Sequence, residues 1–170
     1  MKNTDDIIER MKKIFIASDH AGFELKNELM TFLRDLGYEV KDFGAFEFNA
    51  DDDYPDFIAP LAKAVSESGG TEKGIILGGS GQGEAMVANR FPHVRAVVFN
   101  GQYKTNDDRH IPEEIITSRE HNDANILSLG ARFLSEKDAK DAVEVWLATP
   151  FSNDERHVRR IKKLDEIKIK

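Results

Sequence analysis

Cysteine is missing from the 170 residues. Its absence excludes disulfide staples, thiolate metal ligands and a cysteine nucleophile, and it fits a reducing cytoplasm. Long apolar runs are missing too. None approaches the roughly 20 residues that span a bilayer, so no membrane association is expected. The opening Met1-Lys2-Asn3-Thr4-Asp5-Asp6 is polar and acidic, unlike a secretory signal. A cytoplasmic location is therefore expected. An excess of positive charge is also lacking. The formal net charge of -7 argues against general affinity for nucleic acid. An anionic ligand would need a local basic cluster, and the C-terminal segment supplies one.

What remains suits one globular domain over residues 1–170. Hydrophobic residues at 40% and charged residues at 32% are enough for a core and a soluble surface. Residues 1–11 read as an N-terminal extension in which Ile7, Ile8 and Met11 can form a short helix. Residues 150–170 carry a basic helix after Pro150.

Apolar runs and helical spacing alternate along the chain. Lys13–Ala17 reads as a strand, with Ser18–Gly22 as its exit loop. Leu25, Leu29, Phe32, Leu33 and Leu36 share a helical face, and Gly37 stops that helix. Tyr38–Phe43 alternates as a second strand before a long loop, Gly44–Asp53. Pro55 suits a helix start, and Ile58, Leu61, Ala62 and Val65 form its apolar stripe. Gly74–Leu77 is a third strand and Ala85–Asn89 begins a helix. Arg95–Phe99 and Asn125–Leu129 read as further strands. Between them lie a polar stretch, Asn100–Ile111, and a helix opening at Pro112. Helices follow over Ser135–Leu147 and Asp154–Ile167. The pattern predicts a three-layer α/β fold of Rossmann type around a five-stranded parallel sheet. Right-handed crossovers bring the exit loops Ser18–Gly22, Gly78–Glu84 and Gly130–Arg132 to one sheet edge, where ligands bind in such folds.

Gly78-Gly79-Ser80-Gly81-Gln82-Gly83-Glu84 is the most informative segment. Glycines between a strand and a helix let N–H groups converge into a nest for a phosphate or an oxyanion. Glu84 brings a carboxylate to the mouth of that nest. An oxyanion site beside a fixed base suits proton abstraction next to a carbonyl. The segment fails as a dinucleotide fingerprint, because Glu84 stands where a third glycine belongs, and it lacks the lysine-serine pair of a nucleotide phosphate loop. Read blandly, it is a tight turn with a glutamate at a helix start.

Other clusters carry similar alternatives. Asp19 beside His20 can simply cap the following helix. Arg119-Glu120-His121-Asn122-Asp123 ends a predicted helix, where a histidine can serve the dipole. Arg156 and Arg160 share one helix face beside His157 and offer two guanidinium forks to a phosphate; alone they read as a solvated basic helix. Asp51-Asp52-Asp53 reads as a dipole partner of the next helix rather than a metal site, since no histidine lies near it in sequence. His93 and His110 read as surface residues.

In order along residues 12–165, these segments resemble the ribose-5-phosphate isomerase B family, which also includes galactose-6-phosphate isomerase subunits. The matching pieces are Ser18–Gly22, Asp53-Tyr54-Pro55, the glycine loop, Ala88-Asn89-Arg90, Arg95–Val98, His121-Asn122-Asp123, Leu129–Arg132 and Arg156-His157. The resemblance implies an aldose–ketose isomerase without metal or organic cofactor. It also implies a homodimer or homotetramer with active sites shared between subunits. Asp19 and His121 would help to open the sugar ring. Asn122 and the N–H groups from Gly79 through Gly81, Gln82 and Gly83 would hold the enediolate, with Ser80 assisting proton movement. His20, Arg156, His157 and Arg160 would hold the phosphate, the arginines coming from the partner chain. Many members carry a cysteine base where this chain has Gly78. A second branch places a glutamate at the loop's end, as Glu84 does here. The Gly101–Pro112 stretch is longer than usual, which leaves open a six-carbon aldose 6-phosphate as substrate. A non-catalytic sugar-phosphate or nucleotide-binding module of the same fold is the other alternative.

Overall fold

A computed structural model describes residues 12–101 and 113–167. The expected N-terminal helix, His110 and most of the long Gly101–Pro112 stretch lie outside the described residues. Five parallel strands form the sheet in the order β2-β1-β3-β5-β4. They are β1 (Lys13–Ser18), β2 (Glu39–Asp42), β3 (Lys73–Gly78), β4 (Ala96–Phe99) and β5 (Ile126–Gly130). The helices are α1 (Phe23–Asp35), α2 (Pro55–Glu67), α3 (Gln82–Ala88), α4 (Glu114–Glu120), α5 (Glu136–Ala148) and α6 (Glu155–Asp165).

The central strands are apolar on both faces because both faces are covered. On one face Ile14, Ile16, Ile75, Leu77 and Leu127 pack with Leu29 and Leu33 of α1, Ile115 of α4, and Val143 and Trp146 of α5. On the other, Phe15, Ala17, Ile76 and Ile126 pack with Ile58, Leu61, Ala62 and Val65 of α2 and Ala88 of α3. The result is the three-layer fold expected from the alternation of elements. No helix among the described residues is long and apolar enough to cross a membrane.

Two details place the site. From β1 the chain runs first to β2 on one side and then to β3 on the other, so the order reverses between β1 and β3. Ser18 pairs with Leu77 across that seam, so the two strands release their exit loops side by side. Lys26 of α1 is fully buried. Its ammonium donates to both oxygens of Asp42 at 2.8 Å and to the Ala45 carbonyl at 2.6 Å. A buried charge must be paired in this way. The pairing fixes the start of the long β2–α2 loop against the same edge.

Candidate active site

At the β1 exit, Asp19 caps a 3-10 turn over His20–Gly22 and accepts from the N–H groups of Ala21 and Gly22 at 2.9 and 3.2 Å. The capping role and a place at the site thus coexist. At the β3 exit, the glycine turn is held by its carbonyls. Those of Gly78 and Gly79 accept from Ala131 and Arg132. Ser80 accepts from the Asn100 side chain at 2.9 Å, and Gly81 from the Ser128 hydroxyl at 2.6 Å. Among the described residues, nothing accepts from the N–H groups of Gly79, Ser80 or Gly81. Gly81 makes this geometry possible. Its φ of 74° is left-handed, a conformation glycine adopts without a Cβ clash and one that turns successive N–H groups into a concavity.

Glu84 lies in the first turn of α3, and only 4% of it is exposed. Its carboxylate folds back over Gly78. A Cβ on Gly78 would overlap the carboxylate, with even the farther oxygen, Oε2, only 2.6 Å away. The buried pose of Glu84 therefore requires glycine at 78. The side chain at the end of the loop fills the volume that a side chain at its start would occupy. Burial pushes the Glu84 carboxyl above its ordinary value, its own backbone N–H opposes this, and the nearby Asp19 adds to the rise. Desolvation outweighs the stabilisation expected at a helix start. Gly78→Ala is expected to evict the carboxylate and lower kcat by at least tenfold. Because Glu84 Oε1 and Oε2 end a side chain that can swing away, Tm should change little. A Gly78→Ala protein with wild-type kcat would show that this pose is not needed.

A cavity of about 320 Å³ opens beside the carboxylate, lined by Tyr54, Gly79, Ser80, Gly83, Glu84, Arg132 and Phe133. The Arg132 guanidinium lies over Gly79, 3.0 Å from where a Cβ would sit. Tyr54 packs its ring against Gly83. Neither Tyr54 nor Arg132 was singled out among the site residues, although both fall in segments that carry the family resemblance. The position of Arg132 just past a parallel strand was the available signal. Gln82 is exposed and contributes its N–H to Ser80 Oγ at 3.4 Å.

The triple aspartate corrects an expectation. Asp52 precedes α2, but a histidine engages its carboxylate. Its Oδ1 lies 2.6 Å from His20 Nδ1 and accepts from the His20 backbone N–H at 3.1 Å. The histidine missing nearby in sequence is present in space. Asp19, His20 and Asp52 bring their ligand atoms within 4.8 Å of one another. Hydrogen bonds account for that grouping, since Oδ1 of both aspartates is already engaged.

His121, Asn122, His157 and Arg160 gather elsewhere. They line a second cavity of about 1040 Å³, walled also by Phe91, Pro92, Ile161 and Leu164. It shares no lining residue with the first. The rings of His121 and His157 lie 4.3 Å apart. His157 is buried, with Nδ1 3.0 Å from Ser152 Oγ. Burial first, then His121, Arg156 and Arg160, lower its proton affinity, with Asp154 opposing. Arg156 and Arg160 are exposed, and only Arg160 lines the cavity. The neighbours of His121 serve the fold. Arg119 donates to Asp123 and to the Ala124 carbonyl, and Asp123 also takes Arg95. His93 is a surface residue, half exposed and 3.9 Å from Asp165.

A buried carboxylate of raised proton affinity, beside N–H groups with no acceptor among the described residues and at the switch point of a parallel sheet, is an arrangement suited to an enzyme that moves protons on a small substrate. The wider comparison gives that class a family. The Ribose/Galactose Isomerase family model matches residues 14–164, and the chain belongs to that family. It is 37% identical to ribose-5-phosphate isomerase B of Mycolicibacterium paratuberculosis over 155 residues, covering 91% of this chain and 90% of the relative. It is 35% identical to ribose-5-phosphate isomerase B of Escherichia coli, covering 92% and 97%. Two solved structures share the fold. Ribose-5-phosphate isomerase B of Clostridium thermocellum superposes with a TM-score of 0.79 at 43% identity, covering 91% and 95% of the two chains. The Mycoplasma genitalium enzyme, solved with bound ribulose-5-phosphate, superposes with a TM-score of 0.81 at 33% identity, covering 92% and 96%.

Proposed function

We propose that this chain interconverts ribose 5-phosphate and ribulose 5-phosphate through an enediolate, with Glu84 as the base. Glu84 removes the C2 proton of the open-chain aldose, and the electron pair moves to make the C1–C2 double bond as the C1 carbonyl becomes an oxyanion. The N–H groups of Gly79, Ser80 and Gly81 meet that oxyanion. Protonated Glu84 then returns the proton to C1 while the C2 oxygen becomes the ketone. Ser80 assists transfer between the two oxygens. Asp19 and His121 open the ring, and Asn122 and Gly83 help to hold the intermediate. Arg132 and His20 on one side, and Arg156 and Arg160 on the other, neutralise the phosphate, and His157 helps to hold it by a hydrogen bond.

The observation that carries this reading is the Glu84 carboxylate, buried beside unpaired N–H donors with its proton affinity raised. The ribulose-5-phosphate bound to the Mycoplasma genitalium relative supports the five-carbon substrate. The two cavities support a homodimer, or a pair of dimers, in which each active site joins the Glu84 half of one copy to the His121 half of the other. A cytoplasmic setting is part of the reading, because sugar phosphates are charged and stay where they are made.

The test is a panel of five- and six-carbon aldose phosphates in deuterated water, followed by NMR. Ribulose 5-phosphate carrying deuterium at C1 is the expected product from ribose 5-phosphate. Turnover confined to a six-carbon substrate would replace the substrate. Binding without carbon–hydrogen exchange would replace the enzyme by a sensor.

A further inference from the structure

The mechanism gives Asp52 no part, yet its carboxylate is buried against His20. Its side chain is only 6% exposed, and its buried Oδ2 has no hydrogen-bond partner among the described residues. Asp52 sits in the β2–α2 loop, where its own N–H bonds the Asn49 carbonyl at 3.1 Å. Both polar contacts of its Oδ1 go to one residue, His20.

We propose that Asp52 is a positioning residue for His20, clamping Nδ1 and the backbone N–H so that Nε2 is a fixed donor to the anionic group of the substrate. This rests on reading the Glu84 cavity as a sugar-phosphate site.

The chemistry follows from the acceptor. A carboxylate oxygen at 2.6 Å requires a proton on Nδ1. That leaves Nε2 as the ring nitrogen open to a ligand, on a side chain 28% exposed. If the ring were neutral, Nε2 would present a lone pair, and a phosphate would be repelled. If the ring is cationic, Nε2 presents N–H, and a phosphate gains a charge-assisted bond. Protonation therefore decides whether His20 attracts or rejects the ligand.

The charges facing His20 come from three loops. Asp52, from the β2–α2 loop, raises its proton affinity most. Burial opposes that, Asp19 at the β1 exit raises it, and Arg132 at the β5 exit lowers it. The balance is upward, and Asp52 is the largest contributor. Phe48 of the same loop sets its ring edge-on to the imidazole, 6.4 Å away between centroids. The buried Oδ2 strengthens the case. With a neutral His20 the carboxylate would be an underpaired buried charge, which is unfavourable.

Asp52→Asn tests this, because the amide oxygen keeps an acceptor near Nδ1 but removes the charge. In the full-length wild type, the His20 ring is expected to titrate above an ordinary histidine by NMR. In Asp52→Asn its midpoint falls. A fall of one unit leaves about a tenth of the imidazolium at pH values above both midpoints. KM for ribose 5-phosphate, and the inhibition constant of inorganic phosphate, then rise about tenfold there. Below both midpoints KM converges on wild type. kcat changes little, because the carbon–hydrogen step belongs to Glu84. In a His20→Gln background Asp52→Asn adds nothing further. The proposal is overturned if the wild-type ring titrates at or below the ordinary value, if KM is unchanged in Asp52→Asn, or if the KM effect persists without His20. The wild-type titration stands even if Asp52→Asn fails to fold. A wild type without isomerase activity would overturn the functional reading instead, while the titration and the phosphate arm still decide the role of Asp52.

Discussion

Glu84→Gln is expected to lower kcat by about 10²–10⁴-fold, the usual contribution of a positioned general base. KM should stay close to wild type, since the proposed phosphate ligands are other groups. Glutamine keeps the shape and a polar end but cannot take a proton. Exchange of the C2 hydrogen with solvent should vanish with turnover. The pH dependence has a definite sign. The base works ionised, and burial raises its proton affinity. In the wild type kcat/KM therefore falls as pH drops through a midpoint above the ordinary carboxylate range. An acid limb at an unshifted carboxylate value would contradict the buried pose. Stability moves the other way. A carboxyl whose folded pKa is raised contributes stability in full below its unfolded pKa, and that contribution is lost as pH rises through the folded pKa. At neutral pH the ionised, buried Glu84 is thus a burden on the fold. Glu84→Gln removes it, and Tm should rise while activity disappears. A dead variant with unchanged or higher Tm separates catalysis from folding. Substantial residual turnover would reject Glu84 as the base.

The fold was legible because buried parallel strands read as continuous apolar runs. Gly74–Leu77 was expected and Lys73–Gly78 found; Asn125–Leu129 was expected and Ile126–Gly130 found. Helix faces such as Leu29 and Leu33, or Ile58, Leu61 and Val65, followed from their spacing. The insertion of β5 between β3 and β4 was not legible, since no local pattern encodes strand order. The glycine loop announced itself because its glycines and Glu84 are contiguous. Asp52 could not, because its partner His20 is 32 positions away and pairing across that distance is a tertiary event. Arg119 and Asp123 stand beside His121 in a segment dense in hydrogen-bonding side chains. They are tied to each other and to Arg95 in a partly buried network, and sequence does not separate a polar side chain that binds substrate from one that ties a loop.

Two inactive proteins, Glu84→Gln and His121→Ala, are expected to regain activity when their subunits are exchanged. Glu84 and His121 line cavities that share no residue within one chain. If a two-fold interface apposes the Glu84 half of one copy to the His121 half of the other, every site draws on two chains. A hybrid dimer then holds one site with both lesions and one site with neither. Random reassociation makes half of the dimers hybrids, so the mixture should recover about a quarter of wild-type activity. The same arithmetic holds for a pair of dimers, because each dimer carries its own two sites. Arg160→Ala provides a second partner for Glu84→Gln; its side chain is exposed, so the fold should tolerate the change. Native mass spectrometry confirms that hybrids have formed. A hybrid population without activity would mean that both lesions act within one chain, and the His121 cavity would then have to reach Glu84 by movement inside the subunit. Complementation would also explain the chemistry of the second half. The rings of His121 and His157 lie 4.3 Å apart at a 41° tilt beside an exposed Arg160, an arrangement whose cavity is not lined by Glu84 of the same chain. It becomes useful when another copy's carboxylate faces it.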